Sequence, residues 1–105
     1  LDGAIQIASE MPVEVERIGA ADFLERELAR TRPDVATVVY HSVFMQYISP
    51  PERERIATAI AGAGVFHLRM EPAYPLFEVR LGDELLGTSY AHGTHVRWNV
   101  DSTAP

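Results

Sequence analysis

A chain of 105 residues makes one domain or a piece of one, and a hydrophobic content of 47% supports a packed core and argues against wholesale disorder. The formal net charge is −6 and all 9 positive side chains are arginines; a binder of nucleic acid or anionic membrane would instead carry a basic patch. The absence of cysteine excludes disulfides, thiol nucleophiles and zinc–thiolate sites and fits a bacterial cytoplasmic protein.

No apolar run reaches the roughly 18 residues of a membrane span. Leu1 to Glu10 lacks the basic start and cleavage pattern of a signal peptide. It reads as a frayed leader or the end of a helix, and a first residue other than Met reads as a cut from a longer protein. Val13, Val15 and Ile18, around Glu14, Glu16 and Arg17, have a period near two that predicts a strand. Ala20 to Arg30 predicts a helix with Ala21, Leu24 and Leu28 on one stripe. Thr31-Arg32-Pro33-Asp34 ends it.

Thr37 to Phe44 is an apolar run of the kind found in strands covered on both faces, and it breaks into polar groups at His41 and Ser42. Ser49-Pro50-Pro51-Glu52 is a helix start, with a Ser cap, Pro in the first turn and Glu three residues after the cap. Ile56, Ala59, Ile60 and Ala63 form its apolar face, Glu52 to Arg55 a solvated one with local ion pairs, and Gly62 and Gly64 end it. Val65 to Met70 is a further strand, stopped by Glu71-Pro72. Phe77 to Leu81, Gly82-Asp83 and Leu85 to Tyr90 predict a hairpin. Ala91-His92-Gly93 interrupts the return as a bulge or a second hairpin before Thr94 to Trp98, and Asp101 to Pro105 is a tail.

Strand–helix alternation implies an α/β fold in which three parallel strands with crossover helices end in an antiparallel hairpin. Ligands of open α/β sheets sit outside the carboxyl ends of the parallel strands, so the strand end at His41 is the expected site.

Three ordered segments carry a resemblance: Thr37 to Tyr47 (TVVYHSVFMQY), Leu68 to Pro72 (LRMEP), and Ala91-His92-Gly93 with Val96-Arg97-Trp98. They are similar to motifs of the bacterial domain of unknown function 2332 family. The resemblance implies the C-terminal part of a longer α/β protein and implies no activity. The strand, then SPPERERI, then a Gly-bounded strand also resembles the second half of a Rossmann-type, S-adenosylmethionine-dependent methyltransferase. That likeness implies a substrate-side crevice here and a cofactor site elsewhere in the full-length protein, with no cofactor held by this segment. The chain departs from it in having no G-x-G loop and no helix between Glu71 and Pro75.

His41 is the candidate general base or substrate hydrogen-bond partner, with an unperturbed pKa of about 6.5 suited to proton transfer, and Glu71 is the second catalytic candidate, placed to hold a ribose, an amine or a proton. Ser42, Gln46, Arg69 and His92 are the candidate substrate ligands, Arg69 for a carboxylate or phosphate. The plain alternatives are a strand end satisfied by backbone bonds and a structural Arg–Glu pair. His92 and His95 lie three apart, a spacing that could serve a metal on a helix but gives opposite faces on a strand unless a bulge at Gly93 rescues the pair, so no metal is expected; His67 shares the face of Arg69 and reads as a satisfied interior histidine. Two functions follow. The chain is the substrate-side part of a methyltransferase-like enzyme acting on a small molecule, or it is a non-catalytic module that has lost cofactor binding and dimerises through an exposed sheet edge.

Overall fold

A computed structural model describes residues 2–99; the tail at 101–105 lies outside the described residues. The fold is mixed α/β, with three α-helices and one five-stranded sheet in the order β1-β2-β3-β4-β5. Helix α1 is Asp2–Glu10, α2 is Ala20–Leu28 and α3 is Pro50–Ala63. The strands are β1 (Val38–Ser42), β2 (Phe66–Ala73), β3 (Leu76–Leu81), β4 (Glu84–Ser89) and β5 (Arg97–Trp98).

The parallel content is smaller than the strand–helix alternation predicts. Only β1 and β2 run parallel, joined by α3, and β2 to β5 form an antiparallel meander. The third parallel strand fails at its start: Val13 to Ile18 joins no ladder, with Val13 83% and Val15 91% exposed. A period of two alone does not make a strand without an edge to pair with. The segment is tied instead to α2, where the Arg26 guanidinium donates to both oxygens of Glu16 at 2.8 and 2.6 Å.

The β2 strand also runs past its expected stop. Pro72 stays in the ladder opposite Phe77. The pairing with β1 ends at Met70, so beyond it β2 has a single neighbour and one side where a missing N–H breaks no ladder bond. The Tyr74-Pro75 peptide is cis and turns the chain directly into β3. The β3–β4 turn falls at Gly82-Asp83 as expected, with Gly82 at φ +60°. The bulge sits at Val79/Arg80, earlier than expected; Ala91–Gly93 is a 3-10 turn instead, with positive φ at His92 and Gly93.

Helix α3 begins with Pro50 after Ser49 and ends at Gly64 in the left-handed region, the conformation its glycine favours. No capping box closes: the Ser49 side chain makes no cap bond, and Glu52 accepts from the Ala21 amide at 3.3 Å, joining the starts of α3 and α2. Arg55 likewise reaches across to Asp22, at 2.8 Å, and to Glu25, so Glu52 and Arg55 form a helix–helix seam while Arg53 and Glu54 stay on the solvated face. Ile56 (1% exposed) and Ala21 (1%) are the buried hydrophobic core among the described residues.

Register sorts the sheet into two unlike faces. One carries Val38, Tyr40, Phe66, Leu68, Met70, Val79 and Trp98; the other carries His41, His67, Arg69, Glu71, Glu78 and Arg80.

Candidate functional site

The polar face collects at the carboxyl end of β1. His41 is the register partner of Arg69, so a side chain from β1 meets two rows of β2. His41 Nδ1 lies 2.7 Å from Glu71 Oε1, and His41 Nε2 lies 2.8 Å from His67 Nε2. The His41 and Glu71 side chains are only 11% and 18% exposed, which makes the contact more than a surface ion pair.

The local backbone is bent to serve Glu71. After Ser42 the chain leaves β1 through Val43 at φ +47°, a costly conformation for a β-branched residue, about 1–2 kcal/mol. The Val43 amide still donates to the Met70 carbonyl at 2.8 Å, closing the β1–β2 ladder. The turn then aims two successive amides at the carboxylate: Phe44 N–H donates to Oε1 at 3.0 Å and Oε2 at 3.2 Å, and Met45 N–H donates to Oε1 at 3.3 Å. Strain of this kind persists where surrounding bonds over-determine it, commonly at functional sites.

These bonds set the hydrogens. A carboxylate that receives backbone donors on both oxygens acts as acceptor, so His41 carries its hydrogen on Nδ1. With His41 neutral, its Nε2 is an acceptor and takes a hydrogen from His67 Nε2. His67 is therefore the Nε2–H tautomer and its Nδ1 holds a lone pair, with no hydrogen bond to another described residue. Burial, then the neighbouring His41 and Arg69, lower the His67 pKa from its ordinary value, so the ring is neutral near pH 7.

Three openings border the relay, one of about 770 Å³ lying between α2 and β1 with His41 in its wall. A cleft of about 290 Å³ exposes His41, Glu71, Arg69, Glu78 and Arg80 beside Met45. A larger cavity of about 620 Å³ lies between α3 and the sheet, with His67 and Arg69 in its wall. Arg80 is committed, its Nε to Glu78 at 3.0 Å and its NH1 to the Asp83 carbonyl at 2.8 Å. Arg69 has only a 3.9 Å approach to Asp83, whose side chain is fully exposed.

Of the candidates read from sequence, the structure brings together His41, Glu71 and Arg69. Ser42 falls on the opposite face of β1 with Tyr40, because adjacent strand residues alternate. Gln46 is exposed on the 3-10 turn Met45–Tyr47. His92 is exposed in the turn after β4, beyond two intervening strands, and His95 stacks on Tyr90 at 4.8 Å. The residue missed is His67: its alternation with Arg69 gave its face, but its partner comes from β1. Among the described residues no group of three or more His, Asp or Glu side chains is placed to hold a metal, and no helix is long and apolar enough to cross a membrane.

A family model described as "Uncharacterized protein conserved in bacteria (DUF2332)" matches residues 1–105. The chain belongs to that family. No curated protein and no solved structure matches it.

Proposed function

We propose that this member of the bacterial DUF2332 family forms one wall of a substrate crevice in an α/β enzyme, and that its chemistry there is proton transfer. The observation that carries this is the Glu71–His41–His67 chain of hydrogen bonds at a strand end. A substrate proton taken by His67 Nδ1 is matched by transfer of the His67 Nε2 hydrogen to His41 Nε2. His41 then holds the positive charge against the Glu71 carboxylate, and the substrate keeps the electron pair. His67 is the group that meets substrate; His41 and Glu71 position it and take up the charge. A hydrogen-bonded carboxylate behind a histidine does the same in triads.

Diethyl pyrocarbonate, which acylates unprotonated imidazole nitrogens, tests this order. Peptide mapping of the intact protein is expected to show His67, His92 and His95 modified and His41 protected, because both its nitrogens are engaged. Modification of His41 ahead of His67 would contradict the relay.

The wider setting of the crevice is methyltransferase-like in this reading, with the cofactor held elsewhere in the full-length protein. Its support is the parallel β1–α3–β2 unit with polar groups at a carboxyl strand end. Against it stands the direct β2-to-β3 turn. Calorimetry of the full-length protein with S-adenosylmethionine decides: micromolar binding supports the reading and no heat removes it. A second reading, the non-catalytic module that pairs with a copy of itself, draws on β1, which ends the sheet and has no strand on its outer side among the described residues. A monomer in sedimentation at high concentration would exclude that pairing.

A further inference from the structure

We infer that the cavity between α3 and the sheet binds a small monocarboxylate with an apolar body, its carboxylate on Arg69 and its reacting end at His67. This deepens the relay reading above and rests on it for the role of His67. The cavity's wall is apolar where Met45, Ile56, Ile60 and Val65 contribute, and polar at His67 and Arg69. Its volume of about 620 Å³ lies within the range of small-molecule sites. Small side chains on the facing side of α3, Ala57 and Ala61, leave that space open.

The charge pattern selects the ligand. Arg69 is the guanidinium of this face without a close partner: Asp83 stands at 3.9 Å with a fully exposed side chain, whereas Arg80 is held by Glu78 and a backbone carbonyl. A planar fork with free donors suits a carboxylate in two-point contact. A dianion is disfavoured, because Arg69 lines the adjoining cleft together with Glu71 and Glu78. Positions 67 and 69 are two residues apart on one face of β2, so their Cα atoms are about 7 Å apart. A ligand anchored at Arg69 therefore has its reacting atom a few bonds from its carboxylate when it lies along the strand toward His67.

The test is calorimetry of the intact protein with 3-phenylpropionate, 3-phenylpropanamide and inorganic phosphate as probes. The carboxylate is expected to bind saturably, with the amide and phosphate at least tenfold weaker. Arg69→Gln is expected to weaken carboxylate binding at least tenfold, with partial recovery in Arg69→Lys. Ala61→Phe, at an exposed position of α3 in the cavity wall, is expected to abolish binding while the thermal transition stays in place. Equal affinity for acid and amide, binding indifferent to Arg69→Gln, tighter binding of phosphate, or no binding of the carboxylate would each overturn the inference. The histidine modification pattern is read in the same samples. If it is intact while carboxylate binding fails, the ligand assignment alone falls; if His41 reacts first, the relay falls with it.

Discussion

Glu71 is the residue on which the site turns. It accepts from two backbone amides and from His41, and bonds to a charged acceptor contribute about 1.5–3 kcal/mol each, less than additively. Glu71→Ala is expected to cost about 2–4 kcal/mol of stability, read by urea unfolding, and Glu71→Gln about 1 kcal/mol, since its carbonyl still receives the Phe44 amide. His67 sets a pH dependence. Its pKa is lowered in the fold, so the unfolded chain binds its proton more readily, and stability rises with pH across the interval below the ordinary value of 6.5. Unfolding at pH of about 5 and about 8 should show wild type losing stability on the acid side, with a shallower loss in His67→Gln. These roles were only partly legible in sequence. Motif and strand-end position picked out His41, Glu71 and Arg69. Ser42 was a candidate because it adjoins His41, and strand alternation puts it on the other face; His67 was undervalued because its partner lies 26 residues away.

At the scale of elements, α3 was the most legible, because its signals are local: prolines in the first turn, an apolar stripe through Ile56, and a glycine at the left-handed end. Ile56→Ala is expected to cost about 2–5 kcal/mol, as for other fully buried aliphatic truncations. The segment from Val13 to Ile18 was misread because alternation reports a half-exposed extended chain, and pairing depends on an edge that the local pattern does not contain. Parallel order is shorter for the same reason: with Val13 to Ile18 outside the ladder, only β1 and β2 run parallel, and the antiparallel strands follow β2. The short β5 depends on Gly87. A Cβ there would stand 2.7 Å from the Arg97 carbonyl and from the Trp98 ring. Gly87→Ala should therefore release the β4–β5 pairing, seen as faster amide exchange at Asn99, whose amide donates to the Leu86 carbonyl at 2.7 Å, with β1 and β2 unchanged.

At the scale of the molecule, the accessible surface is 8187 Å² for 11.7 kDa, whereas a compact monomer of that mass exposes about 5,900 Å². Part of the excess is the apolar sheet face, where Val38, Tyr40, Phe66 and Trp98 are each more than half exposed. Composition alone indicated a core, because 47% hydrophobic content counts residues and not which of them find cover. The polar face is better enclosed than the apolar one, with α3 lying over His67 and Arg69, while the apolar face stays largely exposed. The central claim, a proton path from an open nitrogen of His67 through His41 to Glu71, is tested most directly by long-range nitrogen-15 NMR of the histidine rings at pH of about 8, above the ordinary histidine range. The expected spectrum has His41 protonated on Nδ1 and His67 on Nε2, with His67 Nδ1 free. A His41 ring protonated on Nε2, or a His67 ring protonated on Nδ1, would contradict it.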